Sequence, residues 1–339
     1  MRKRLTPSMF IGVQGNGIIS FGSGQPDLPP PKEIYEILGN AKNSFRYGLI
    51  QGREDLREAL SKQYPNSDKD NFVITNGASE ALDLTLRVIG EKGISRRKNK
   101  LLLHKPYYYS YPPLVKAAGL EPVYTETKNG KIDLEDFEKK VKKCDSFLIN
   151  SPSNPTGRIQ DIETLKGIEK ITKDLGIPLI SDEVYKDLIY ERENYLLSGP
   201  HVVTINSFSK TFGMCGFRVG YLYSNNKKFV KKVIDLKTHT SMNTNTIAQE
   251  MAYVATTVPK EYLEDGLKIW KERRDLICEG LSDLGLDFWK PEGAFYVLPK
   301  VDESENFLED LFYNYKVITY LGEWFGAPGR IRLSYALDK

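Results

Sequence analysis

His201-Val-Val-Thr-Ile-Asn-Ser-Phe-Ser-Lys-Thr-Phe-Gly213, followed by Gly216-Phe-Arg-Val-Gly220, decides how this chain is read. The first half is an uninterrupted apolar run, the pattern of a strand covered on both faces. The second half sets Lys210 among small hydroxyl residues where that strand ends. An amine there is badly placed for a solvated ion pair and well placed to be desolvated. Desolvation lowers its pKa and makes it a nucleophile toward a carbonyl. Ser207, Ser209 and Arg218 supply donors suited to a phosphate. A nucleophilic amine beside a phosphate cradle is what a pyridoxal 5'-phosphate (PLP) Schiff base requires. An exposed loop lysine would fit the run alone, and other segments decide between the two.

Working outward, Asn71-Phe-Val-Ile-Thr75, Lys100-Leu-Leu-Leu-His104, Ser146-Phe-Leu-Ile-Asn150 and Ile177-Pro-Leu-Ile-Ser181 are apolar runs of the same kind, separated by helical patterns. They predict an α/β fold with a mainly parallel sheet. Phe217-Arg-Val-Gly-Tyr-Leu-Tyr223 reads as one more strand, reversed in direction. The pattern then changes: a helical stretch from Lys260 to Leu284 precedes two strands, Gly293 to Leu298 and Arg330 to Tyr335, which flank a helix at Asn306 to Asn314. The expected division is a large domain over 26–265 and a smaller α+β domain over 266–339, joined by the N-terminal segment 1–25.

Composition narrows the function. With 339 residues the chain can bury a large core. Lys and Arg total 48 against 45 Asp and Glu, a net charge of +3 without long charged blocks, so nucleic acid is not expected as a partner. No stretch is long and apolar enough for a bilayer, and the basic Met1-Arg-Lys-Arg4 is followed by no apolar signal core. Cys144, Cys215 and Cys278 are odd in number and far apart, which suggests neither a disulfide framework nor a metal site. Cys215 lies inside the lysine motif and either lines the site or packs beneath it. A reducing, cytoplasmic home is expected.

Each remaining motif begins where a predicted strand ends, the place where open α/β sheets bind ligands. Asn76-Gly-Ala-Ser-Glu80 opens a helix, and the amides of Ala78 and Ser79 would meet a phosphate at its N-terminus; a plain serine cap is the alternative. Lys105-Pro-Tyr-Tyr-Tyr-Ser-Tyr111 offers Tyr108 to stack on a flat heteroaromatic ring, or only core packing. Ser151-Pro-Ser-Asn-Pro-Thr-Gly157 is an irregular turn presenting Asn154 as a donor. In Asp182-Glu-Val-Tyr185 a carboxylate at a strand end suits a protonated pyridine nitrogen, with Tyr185 one helical turn later on the same side.

Asn154-Pro-Thr-Gly157, Asp182-Glu-Val-Tyr185, Ser207-Phe-Ser-Lys210 and Arg218, in this order and spacing, resemble the class I/II aminotransferases of PLP fold type I, from about Gly24 to Arg332. The resemblance implies a mainly parallel, seven-stranded sheet flanked by helices, and a ping-pong transfer of an amino group between an amino acid and a 2-oxo acid. It implies that Lys210 holds PLP as a Schiff base and carries the transferred proton. Asp182 would pair with the pyridine nitrogen, Asn154 and Tyr185 would contact the ring oxygen, and Tyr108 would stack on the ring. Ala78, Ser79, Ser207, Ser209 and Arg218 would bind the phosphate. Arg332 would clamp the substrate α-carboxylate beside Gly24 and Asn154, and Tyr47 would reach the partner's phosphate in a homodimer. Two features depart from the family: a brief segment before Gly24, where relatives help to close the site, and a basic stretch from Gly90 to Lys100, read as a solvated loop.

The substrate side chain stays open between aspartate or glutamate and an aromatic residue. A dicarboxylate needs a second cation; Arg87 is a candidate, but Asp83 four residues earlier favours an exposed helix pair instead. Rival readings are a histidinol-phosphate-type aminotransferase, a PLP-dependent decarboxylase or β-lyase, and a catalytically silent PLP-fold binding module.

Overall fold

The computed structural model describes residues 5–11, 13, 15, 17–39, 46–91 and 98–338. The apolar runs form a seven-stranded sheet in the order Phe72–Thr75, Gly220–Tyr223, Val202–Ser207, Leu179–Asp182, Ser146–Asn150, Lys100–His104 and Glu121–Thr125. All neighbours are parallel except Gly220–Tyr223, which is antiparallel to both of its partners. This reversed strand starts later than its apolar pattern because Arg218 adopts a left-handed backbone (φ 54°) just before it. No apolar run announces the strand Glu121–Thr125. That strand lies at the sheet edge, half-buried, and its Pro122 is tolerated there because an edge strand need not donate on both sides.

Helices cover both faces. Gly77–Gly90 and Lys227–Thr238 bury Leu82, Leu86, Val230 and Val233 against Val73, Leu103 and Leu222. On the other face Leu134–Val141 and Ile162–Leu175 bury Phe137, Leu165 and Ile168 against Phe147, Ile149 and Leu179. Strand register then lines up the polar residues that end the apolar runs. Thr75, Gly220 and Ser207 share one row, and Asn150 pairs with Asp182 in another.

The smaller α+β part holds a three-stranded antiparallel sheet, ordered Tyr296–Val297, Ile331–Ser334 and Tyr320–Leu321, with the helix Ser304–Tyr315. Ile19–Ser20 pairs in parallel with Val317–Ile318 and ties the N-terminal segment to it. The helix Lys260–Asp283 runs unbroken through residue 265, so the change of architecture lies along a helix rather than in a linker. The strand expected over 293–298 shrinks to Tyr296–Val297. Its first residues bond elsewhere: the Gly293 N–H donates to Gly157 (2.9 Å) and the Ala294 N–H to Leu188 (2.8 Å). The middle of the basic stretch, residues 92–97, lies outside the described residues.

Phe147 is fully buried, its ring 4.8 Å from that of Phe137. Phe147→Ala should cost about 3–5 kcal/mol, read from chemical denaturation. A loss below about 1 kcal/mol would show that this helix–sheet layer is not close-packed.

Candidate active site

A cavity of about 690 Å³ opens at the ends of the central strands, walled on its other side by Tyr296, Tyr320 and Arg332 of the smaller part. Gly24, Ala78, Ser79, Tyr108, Asn154, Asp182, Tyr185, Ser207, Ser209, Lys210, Arg218 and Arg332 all line it. Tyr47 does not; it is 84% exposed elsewhere on the surface.

Lys210 follows the strand Val202–Ser207 within a single helical turn, Phe208–Thr211, capped by the Ser207 hydroxyl, which accepts from the Ser209 N–H (3.1 Å). Its Nζ donates to the Gly24 carbonyl at 2.6 Å. Gly24 has to be glycine, since a Cβ there would lie 2.0 Å from the Tyr296 hydroxyl. Burial is the main cause that pushes the Lys210 pKa down; Arg332 and Arg218 push the same way, while Cys215 and Asp182 oppose them. Cys215 is in the cavity wall, its Sγ donating to the Ser209 carbonyl at 3.2 Å, so it both packs and lines the site.

Arg218 lies against the turn that opens the helix Gly77–Gly90. A Cβ on Gly77 (φ +74°) would sit 2.4 Å from Arg218 Nη2, and one on Gly220 would sit 2.8 Å from the Ala78 nitrogen. Two glycines therefore let a strand, a helix N-terminus and a guanidinium converge. The first amides of that helix have no carbonyl partner within it, which suits an anion.

Asp182 ends its strand with 7% exposure. Burial raises its carboxyl to about 6, although the Tyr111 hydroxyl donates to it at 2.6 Å and the Val184 N–H at 3.3 Å. The expected helical turn after Asp182 is absent. Consecutive tight turns, Lys186 N–H to Glu183 and Leu188 N–H to Tyr185 (2.9 Å each), carry Tyr185 into the cavity instead. The Tyr185 hydroxyl bonds that of Tyr296 at 2.8 Å, and burial raises its pKa well above the usual tyrosine value.

Arg332, 2% exposed, donates from Nη1 to Asn154 Oδ1 (3.0 Å) and from Nη2 to the Gly22 carbonyl. Its guanidinium carbon lies 4.6 Å from the Tyr296 ring centre and 4.7 Å from that of Tyr320. No carboxylate pairs with it among the described residues, and its Nε lacks a partner. Arg87, by contrast, pairs with Asp83 at 2.8 Å on an exposed helix face outside the cavity.

The family described as aminotransferase class I and II matches residues 16–339. A probable aspartate aminotransferase of Methanocaldococcus jannaschii is 35% identical, over 98% of this chain and 94% of the relative. A probable aspartate/prephenate aminotransferase of Aquifex aeolicus is 32% identical, over 97% and 89%. Among solved structures, an aspartate aminotransferase from Thermotoga maritima superposes with a TM-score of 0.88 at 33% identity, covering 95% of this chain and 88% of that one. An aromatic aminotransferase from Pyrococcus horikoshii does so with 0.88 at 28%, covering 98% and 94%. The chain belongs to the class I and II aminotransferases.

Enzymes of this aminotransferase type use pyridoxal phosphate, and the cavity fits that group. It brings together amides, hydroxyls and Arg218 suited to a phosphate, an amine for the aldehyde, and a buried carboxylate that gains from a cationic partner. Sequence reasoning missed Tyr111, hidden in a run of tyrosines, and Asn150, whose Nδ2 donates to the Asp182 carbonyl at 3.0 Å. It also missed Tyr296 and the N-terminal Phe10 and Ile11, which line the cavity. The segment before Gly24 thus reaches the site.

The raised Asp182 pKa has a pH signature in the cofactor-free protein. Between its ordinary 3.8 and about 6 the unfolded chain gives up a proton that the folded one keeps, so folding weakens as pH rises through this window. Asp182→Asn should remove that loss. Its stability advantage over the wild type should grow by on the order of 2 kcal/mol from pH 4 to pH 6 in denaturant titrations. A constant difference across that range would show that the carboxylate is not desolvated.

Proposed function

We propose that this aminotransferase moves the amino group of an L-amino acid with an aromatic or large apolar side chain to a 2-oxo acid, within a homodimer. The convergence of Lys210, Arg218 and Arg332 on one cavity with Asp182 carries the reading. Pyridoxal phosphate, when bound, supplies an aldehyde and an electron-withdrawing pyridinium ring. Arg218, the hydroxyls of Ser207 and Ser209 and the amides of Ala78 and Ser79 bind the phosphate. Asp182 would pair with the pyridine nitrogen and keep it protonated, and that cation would favour ionisation of the carboxylate; the Tyr111 hydroxyl, donating at 2.6 Å, fixes the carboxylate in place. Asn154 and Tyr185 would hold the ring oxygen, and Tyr108 would cover the ring. Arg332 takes the α-carboxylate through a planar fork that lysine does not reproduce. Lys210, its pKa pushed down by burial, would be the base placed to take the Cα proton.

The substrate side chain is read from the wall beside Arg332. The rings of Phe10 and Tyr109 lie 6.2 and 6.1 Å from that of Tyr320, which in turn flanks the Arg332 guanidinium. Among the described residues the cavity's cations are Lys210, Arg218 and Arg332, each already assigned a task. A second carboxylate would thus be desolvated against rings, whereas an aromatic side chain gains by burial.

The dimer reading rests on a surface patch. Tyr47 and Leu49 are 84% and 59% exposed, and Gly48 between them abuts Asn243, next to Met242. A second copy would cover these side chains and bring Tyr47 to the partner's phosphate. Three free cysteines suit a reducing, cytoplasmic setting.

Two measurements test this function. Lys210→Ala should lose the visible absorption of bound pyridoxal phosphate together with transamination; retained turnover would sink the assignment. For the wild type, kcat/KM should be roughly 10–100-fold higher with phenylalanine or tyrosine than with aspartate, the value of burying a large apolar side chain. A preference for aspartate would overturn the substrate class and leave the reaction standing.

A further inference from the structure

Lys237 is fully buried, rare for a lysine, and lies outside the cavity. Its Nζ donates to both carboxylate oxygens of Glu80 (2.9 and 3.0 Å) and to the Ser241 hydroxyl (3.0 Å). Ser241 also donates to Glu80. The same carboxylate accepts the Asn76 backbone N–H at 2.5 Å and the Asn76 Nδ2 at 3.0 Å. Glu80 thus clamps the residue that precedes Gly77, the glycine against which Arg218 rests. The clamp shapes the turn, but it also puts a negative charge beneath a site meant for a phosphate.

We propose that Lys237 is a positioning residue for the cofactor phosphate. It neutralises Glu80 so that the carboxylate can hold the Asn76–Ser79 turn without repelling the dianion bound above it. This rests on the reading of Ala78, Ser79 and Arg218 as the phosphate cradle. Glu80 alone would organise the amides and oppose their ligand; with Lys237 beside it, the geometry is kept and the repulsion is cancelled. Lys237 is buried and Glu80 largely so, with 13% of its side chain exposed, which makes screening weaker than between surface charges. The pair also reaches toward the dimer patch. The Met242 N–H donates to the Lys237 carbonyl (2.9 Å), and the Thr244 hydroxyl donates to the Ile74 carbonyl (3.0 Å) in the strand that leads into the turn.

The test compares equilibrium binding of pyridoxal phosphate and of pyridoxal, which lacks the phosphate, by absorbance titration of cofactor-free protein. Lys237→Gln keeps an amide donor and removes the charge. It should weaken pyridoxal phosphate binding roughly tenfold and change pyridoxal binding less than about twofold. Adding Glu80→Gln should restore the phosphate compound to within about threefold of wild type, because the uncompensated charge is then gone. General loosening of the site would weaken both ligands, and the double variant would not recover; either result overturns the inference. So does an unchanged pyridoxal phosphate affinity in Lys237→Gln. If Lys237→Gln fails to fold, the double variant compared with the wild type decides: near-normal phosphate preference supports charge cancellation, and a lost preference overturns it. A wild type that does not prefer pyridoxal phosphate over pyridoxal would overturn the cradle itself, and this inference with it.

Discussion

Three cations and one buried carboxylate share the walls of a single cavity, and that imbalance organises everything around them. Lys210, Arg218 and Arg332 face a space in which Asp182 is the acid that most closely opposes them, and Asp182 is itself held up to about 6 by burial. Such a set is poorly compensated alone. It becomes balanced by a ligand with a dianionic phosphate at one end, a cationic ring nitrogen at another, and a carboxylate brought by the second substrate. On the proposed reading, the site is complementary to the sum of cofactor and amino acid rather than to either one. The lowered Lys210 pKa is part of the same balance, since two guanidiniums and burial all disfavour a charged amine there.

Producing that cavity is a matter of register. In a parallel sheet the apolar runs are buried on both faces, so polar side chains can be concentrated only where strands end. Pairing of Gly220 with both Thr75 and Ser207, and of Asn150 with Asp182, puts those ends side by side. Gly77 and Gly220 then allow backbone and guanidinium to approach more closely than any side chain would permit.

The central strands and the residues at their ends were legible because both follow from local pattern: an unbroken apolar run, then a motif. Less legible was whatever depends on tertiary context. Glu121–Thr125 carries no strand signal because one edge and half a face stay wet. Asp182 to Tyr185 looks like a helix start, yet the Asp182 carboxylate takes the Val184 N–H and turns replace the helix. Tyr111 is one tyrosine among several, and only the fold shows that its hydroxyl, not that of Tyr108, is aimed at Asp182. Lys237 is written into a lysine-rich amphipathic helix, and nothing local separates it from its solvated neighbours Lys231 and Lys232.

Arg332 shows how the orientation of one cavity side chain depends on the whole chain being docked. Its donors end on the Gly22 carbonyl of the N-terminal segment and on Asn154 of the turn after Ser146–Asn150, while its face is packed by Tyr296, Tyr320 and Phe325 of the smaller part. The N-terminal segment is fixed in turn by the Ile19–Ser20 pairing and by Phe10, buried with Tyr320 and Phe325. A guanidinium held by two carbonyl oxygens and three rings, with Nε unpartnered, has its orientation set before any ligand arrives. The cost of ordering a long side chain is then met during folding rather than binding, which is what makes a buried arginine an effective clamp for a small carboxylate.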